Sequence, residues 1–261
     1  MIQSLIFSPD PHYSEYPVNY GLAWEDVSFQ TPDKSELFGW YLSPSPPLPR
    51  GEREEPKGTI LFFHGNAGNI SGRLFKAEGW IKRGYSVLLY DYRSYGKSSG
   101  SIQSQEQMVE DGRQVLQWLT DEKQIPLSKI ILYGESLGTH LAIRLGSEFK
   151  IAAVILEAPY TSFTDLAPVH YPWIPKSMIE AMLKHFSFPN QDFIGGLKAP
   201  LFILHGTKDL TCPFYMGEKI FEEALEPKEL WSIAGGGHSD LPQITGKDYW
   251  DRPARFLAKY L

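Results

Sequence analysis

One cysteine, Cys212, stands in 261 residues, so no disulfide can close within the chain. That excludes a disulfide-stapled scaffold and fits a reducing compartment. Long apolar runs are lacking too, and no stretch approaches the roughly 18 residues of a spanning helix. The opening residues, Met1 to Pro9, carry neither the basic region nor the apolar core of a signal peptide. Charge of one sign is not in excess: 25 Lys and Arg against 31 Asp and Glu leave a net charge of -6. So small a value recommends neither nucleic acid nor an anionic membrane as a partner. Repeats, low-complexity segments and blocks of like charge are also absent. A soluble, cytoplasmic, globular protein is the expectation, and 42% hydrophobic residues suffice for a large core.

What is present is an alternation. Trp24 to Gln30 and Glu36 to Leu42 read as an opening antiparallel pair. Apolar strands are then expected at 59–63, 85–90, 129–133, 152–156, 200–204 and 230–233, with helical segments between them. Eight strands of which most are continuously apolar predict a mostly parallel sheet covered by helices on both faces, in one α/β unit spanning residues 1–261. Ser104-Gln105-Glu106-Gln107 reads as a capping box opening a helix whose Met108, Val109, Gly112, Val115, Leu116 and Leu119 form one buried stripe. A last helix from about Lys247 is expected to turn Trp250, Phe256, Leu257 and Tyr260 inward. The proline-rich, charged stretch from Ser43 to Lys57 reads as a surface loop, because the core pattern resumes directly after it.

Gly134-Glu135-Ser136-Leu137-Gly138 follows the apolar run Ile130 to Tyr133 and precedes a helical pattern from Thr139 to Leu145. A G-x-S-x-G that closes a strand and opens a helix is the context of a nucleophile elbow, whose serine needs glycines on both sides. Alone, the pentapeptide equally describes a glycine-bounded turn with a chance serine. A serine nucleophile also needs a base to take its proton and an acid to hold that base. Asp209 follows the strand at 200–204, and His238 follows the strand at 230–233 behind three glycines. Singly, these would be a turn aspartate and a loop histidine. Together they give the order Ser, Asp, His, each past the carboxyl end of a strand, where open α/β sheets build their sites. Glu157 also follows a strand and is the second candidate for the acid, behind Asp209. The turn His64-Gly65-Asn66-Ala67-Gly68 supplies the last part. The backbone N–H groups of Leu137 and Asn66 would form an oxyanion hole, with Ala67 the alternative to Asn66. His64 and Cys212 read as structural residues, and no metal is expected, since no second ligand lies at a zinc spacing.

His64 to Gly68, Asp91-Tyr-Arg-Ser-Tyr-Gly-Lys-Ser98, Gly134 to Gly138, His205-Gly-Thr-Lys-Asp209 and Gly237-His238 together resemble the α/β-hydrolase superfamily from about Thr59 onward. Within it they resemble the branch of abhydrolase-domain depalmitoylases, lysophospholipases and monoacylglycerol lipases. The resemblance implies Ser136, Asp209 and His238 as catalytic residues and no cofactor. The branch often has glycine where this chain has Ser94, in a loop expected to be pinned by an Asp91–Arg93 ion pair. Eukaryotic members carry a membrane anchor or a lipidated cysteine cluster at the N-terminus, and this chain shows neither.

The fold would use residues from about 158 to 197 as a small cap, and here that segment is aromatic and apolar. Tyr160, Trp173 and Met178 are candidates to line an acyl groove. Equally, Ile179, Met182 and Phe186 fit the packing face of one helix. The combined reading is a serine hydrolase that cleaves carboxylic esters or thioesters of small molecules through an acyl-enzyme on Ser136. The alternatives are a serine peptidase of the oligopeptidase type and a non-catalytic, ligand-binding homologue. A propeller domain would have marked the first and loss of a triad member the second.

Overall fold

The computed structural model describes residues 3–44 and 55–261. Most of the expected 43–57 surface loop and the first two residues lie outside that range. Among the described residues ten strands occur: β1 Ser8–Pro9, β2 Ala23–Gln30, β3 Glu36–Ser43, β4 Thr59–Phe63, β5 Ala67–Gly68, β6 Ser86–Tyr90, β7 Ile130–Glu135, β8 Ala153–Glu157, β9 Leu201–Gly206 and β10 Lys228–Ile233. Eight of them build one sheet in the order β10-β9-β8-β7-β4-β6-β3-β2. Pairing is parallel from β10 across to β6 and antiparallel where β3 joins β6 and β2 joins β3. This is the α/β-hydrolase fold, with the expected eight strands.

The strands are buried on both faces because alternate side chains feed two separate cores. Leu61, Phe63, Leu132, Val154 and Ile203 pack on one face with Val115, Leu116, Leu141 and Leu145 of the helices Gln105–Asp121 and Gly138–Glu148. Ile60, Phe62, Ile131, Ile155 and Phe202 pack on the other with Leu74, Trp80, Tyr249 and Phe256 of the helices Leu74–Ile81 and Asp248–Leu257.

Several local expectations change in detail. Ser104 caps its helix by accepting the Gln107 N–H at 3.2 Å, but the Gln107 side chain accepts from Gln103 N–H at 2.7 Å, so the returning bond of the capping box falls one residue upstream. The last helix ends at Leu257, which leaves Tyr260 off its buried stripe and partly exposed, while Tyr249 is buried instead. Asp91 and Arg93 do not pair with each other. Arg93 reaches away to Asp111 (Nε–Oδ2 2.7 Å) and Asp33 (Nη1–Oδ2 2.6 Å), whereas Asp91 accepts from the Ile70 N–H at 2.9 Å and from the Tyr13 hydroxyl. The loop is therefore pinned by two separate sets of partners.

The short strands β1 and β5 pair with each other, Ser8 opposite Ala67, and lay the N-terminal segment along the loop that leaves β4. Phe7 is buried just before it, its ring 5.5 Å from that of Phe186 and 6.3 Å from that of Phe188. Among the described residues no helix is long and apolar enough to cross a membrane.

Candidate active site

Ser136 occupies the step between β7 and the Gly138–Glu148 helix with φ of +50°, the left-handed region that costs an L-residue about 1–2 kcal/mol. Three hydrogen bonds hold it there. Its N–H donates to the Glu157 carbonyl at 2.9 Å, and its carbonyl accepts from the Thr139 N–H at 2.9 Å and the Thr139 hydroxyl at 2.6 Å. The glycines answer to neighbouring backbone and not to the serine itself. A Cβ on Gly138 would overlap the Phe63 carbonyl of β4, and one on Gly134 would lie 2.6 Å from Thr139 Cα.

The structure brings Ser136, His238 and Asp209 together. His238 Nδ1–H donates to Asp209 Oδ2 at 2.7 Å, and its Nε2 lies 3.2 Å from Ser136 Oγ, placed to accept the hydroxyl proton. The tautomer follows from the ionised carboxylate, which can only accept. Asp209 is fixed in turn by the N–H groups of Thr211 and Cys212, each 2.8 Å from Oδ1. The loop bearing His238 is stitched to the end of β9 by Gly235 N–H to Thr207 Oγ1 at 2.9 Å and Lys208 N–H to the Gly236 carbonyl at 2.8 Å.

Burial opposes the charge on Asp209, but hydrogen bonds from His205 and His238, the His238 charge and the Cys212 N–H outweigh it and hold the carboxyl well below the usual carboxylate range. For His238, burial favours the neutral ring, yet the bond to Asp209 and the charges of Asp209, Glu135 and Glu157 prevail and raise its pKa above the ordinary histidine value. A base works only when neutral. Activity should therefore fall on acidification through a value above about 6.5, the unperturbed histidine pKa. A kcat/KM profile between pH 5 and 9 checks this, and an acid limb below 6 would contradict it.

The loop after β4 packs against the elbow, where a Cβ on Gly65 would lie 2.6 Å from Glu135 Oε1. The N–H of Leu137 stands at the start of the Gly138–Glu148 helix, within the turn whose donors lack intrahelical acceptors. Asn66 is locked through its other groups: Nδ2 donates to the Ile6 carbonyl at 2.6 Å, and the Tyr95 hydroxyl donates to its carbonyl at 2.6 Å and its Oδ1 at 2.9 Å. Its backbone N–H takes no part in these contacts. Ala67, by contrast, is engaged in the β1–β5 pairing. His64 is fully buried, stacked on Tyr92 at 4.1 Å and bonded to the Gly65 carbonyl at 2.7 Å, and burial together with the nearby Arg73 charge pushes its pKa down to about 3. Cys212 is buried with Sγ 4.0 Å from Ser136 Oγ, and burial pushes its thiol up, away from a reactive thiolate. Among the described residues no group of three or more His, Cys, Asp or Glu could hold a metal ion.

Glu157, the second candidate acid, does not reach His238 with its carboxylate. Oε2 accepts from Lys76 Nζ at 2.8 Å and from the hydroxyls of Tyr133 at 2.8 Å and Tyr249 at 2.6 Å. Lys76 also bonds Glu135 Oε2 at 2.8 Å, and Arg73 bonds Glu135 Oε1 at 2.8 Å. This buried cluster was not foreseen. Its one signal in the sequence is Lys76, a charge between Leu74, Ala77 and Trp80 on the apolar stripe of its helix.

Between β8 and β9 the chain forms the helices Phe163–His170, Lys176–Met182 and Gln191–Ile194. Tyr160 is fully buried at the start of this segment, its ring 4.9 Å from that of Phe163. Trp173 and Met178 face outward, 74% and 54% exposed. Of the second helix Ile179 packs inward and Met182 is exposed, while Leu183 and Phe186 are buried just past its end.

Residues 54–194, more than half of the chain, match the family model described as serine aminopeptidase, S33. The chain belongs to this family. Within the α/β-hydrolase superfamily it is 33% identical over 237 residues to an uncharacterized protein of Mycobacterium tuberculosis, covering 91% of this chain and 80% of that one. It is 31% identical over 263 residues to the alpha/beta hydrolase domain-containing protein WAV2 of Arabidopsis thaliana, covering 95% and 83%. Among solved structures it superposes on an esterase of Pyrococcus furiosus with a TM-score of 0.78 at 22% identity over 98% of both chains. It also superposes on a puromycin-hydrolyzing peptidase of Mycobacterium tuberculosis with a TM-score of 0.73 at 16% identity, over 94% of this chain and 40% of that one. At those identities the superpositions speak for the fold alone.

Proposed function

We propose that this chain is a serine hydrolase cleaving carboxylic esters or thioesters of small acyl compounds. The observation that carries the reading is the continuous path from Ser136 Oγ through His238 to Asp209, at 3.2 and 2.7 Å. Ser136 attacks the acyl carbonyl while His238 takes its proton, and the Leu137 and Asn66 N–H groups receive the oxyanion. His238 then protonates the leaving group, and water deacylates the enzyme by the same route in reverse. The motifs shared with the depalmitoylase and lysophospholipase branch support acyl substrates. The test is hydrolysis of p-nitrophenyl esters and acyl-CoAs of graded chain length, and inertness toward every ester and thioester would refute it. The family description supports a second reading, release of N-terminal amino acids. Aminoacyl naphthylamides cleaved in preference to esters would establish that one.

The 158–197 segment acts in this proposal as a cap: Tyr160, which has no exposed surface, packs behind an acyl groove whose outer rim is Trp173 and Met178. Because the last two are exposed, only long acyl chains would reach them. Each methylene moved from water is worth about 0.8 kcal/mol, about fourfold in kcat/KM. Trp173→Ala and Met178→Ala should therefore lower kcat/KM for decanoate esters severalfold and leave acetate esters unchanged. Equal losses for both esters would make these residues part of the packing.

A further inference from the structure

The Arg73–Glu135 pair joins the strand end that leads into Ser136 to the loop that carries Asn66. Glu135 immediately precedes Ser136, so its side chain is anchored one residue from the elbow and two from the Leu137 N–H. Its Oε1 accepts from Arg73 Nη2 at 2.8 Å, while Arg73 Nη1 donates to the Ala67 carbonyl at 2.7 Å and the Asn69 carbonyl at 3.3 Å, in the segment carrying Asn66. The contact is close enough to shape the loop, since a Cβ on Gly65 would lie 2.6 Å from Glu135 Oε1 and 3.2 Å from Arg73 Nη2. On the far side Glu135 Oε2 is held by Lys76, which also binds Glu157, the residue whose carbonyl receives the Ser136 N–H. The pair is shielded, with side-chain exposures of 13% and 16%.

We propose that Arg73 and Glu135 are positioning residues that set the separation of the Asn66 and Leu137 N–H groups, and so the geometry of the oxyanion hole. The proposal rests on the serine-hydrolase reading. A planar guanidinium is suited to the task because it bonds a carboxylate and a carbonyl with two nitrogens held in one plane, which an ammonium cannot do. Loosening the bridge leaves Ser136, His238 and Asp209 linked but lets the loop drift from the elbow. Oxyanion donors act over a few tenths of an ångström, and misplacement by about 1 Å costs on the order of 100-fold.

The experiment compares Arg73→Met, Arg73→Lys, Glu135→Gln and the Arg73→Met/Glu135→Gln double variant with the parent protein. The readouts are p-nitrophenyl acetate turnover, the rate of Ser136 labelling by a fluorophosphonate, and thermal unfolding to confirm the folded fraction. Arg73→Met and Glu135→Gln should each lower kcat about 10- to 100-fold with KM nearly unchanged. Labelling should slow in parallel, because the phosphonyl adduct needs the same donors. Arg73→Lys should lose less, and the double variant no more than the worse single one, because the two side chains form one bridge. Full kcat per folded molecule in Arg73→Met, or additive losses in the double variant, would overturn the proposal while leaving the hydrolase reading in place. A parent protein that neither turns over esters nor labels on serine would instead refute that reading, and this proposal with it.

Discussion

Ser136→Ala is expected to remove ester hydrolysis and fluorophosphonate labelling altogether while the protein stays folded. Alanine supplies no nucleophile, yet it fits the same turn, whose geometry is fixed by backbone bonds to Glu157 and Thr139 and not by the hydroxyl. It also inherits the strain of φ at +50°. Glycine does not, so Ser136→Gly should be equally inactive but more stable than Ser136→Ala by about 1 kcal/mol, the penalty an L-residue carries in the left-handed region. Thermal unfolding of the two variants measures that difference directly. Measurable turnover in a folded Ser136→Ala protein would remove the acyl-enzyme from the mechanism. Equal stability of the two variants would mean the turn stores no strain.

Why the elbow could be read from the sequence, while the bridge behind it could not, follows from the range of the forces involved. Gly134, Ser136 and Gly138 are dictated by contacts within one strand-turn-helix unit and by the strand beside it, so their spacing is local and visible. The eight sheet strands were equally visible because burial on both faces forces runs of apolar residues. Asp209 and His238 could be placed because each follows such a run. Arg73, Lys76, Glu135 and Glu157 come from two strand ends, a helix and the turn that precedes it, and nothing in the spacing of four charges shows that they will share one cluster. The same holds for β1, a two-residue strand whose partner lies 59 positions away, Ser8 opposite Ala67. Arg93 shows the converse error. Proximity in sequence to Asp91 predicts a pair, but a long side chain at a loop corner chooses Asp111 on a neighbouring helix. Trp173 and Met178 stand out in the sequence by apolar character, a property that cannot separate a packing face from an exposed rim.

The two carboxylates next to the candidate site should fail in opposite ways when amidated. In Asp209→Asn, the side-chain oxygen is expected to keep the N–H groups of Thr211 and Cys212, which now meet Oδ1 at 2.8 Å each. That choice turns the new NH₂ group toward His238 Nδ1. Two donors cannot face each other, so the ring would shift its proton to Nε2 and present an N–H, not a lone pair, to Ser136. Amidating the corresponding aspartate in a serine protease costs about 10⁴-fold in kcat by this route, and a loss of that order is expected here with little change in stability. Glu157→Gln should do the reverse. Its carboxylate is buried among Lys76, Tyr133 and Tyr249 and is not bonded to His238, and amidation leaves Lys76 with Glu135 as its remaining counter-charge. Breaking a buried pair costs up to about 3–5 kcal/mol, so the melting temperature should drop by several degrees while the folded fraction turns over within about tenfold of the parent rate. Steady-state kinetics on both variants, normalised to active sites titrated with a fluorophosphonate, separates the outcomes. The reverse ranking of kcat would move the acid role to Glu157 and reduce Asp209 to a brace for the Thr211–Cys212 turn.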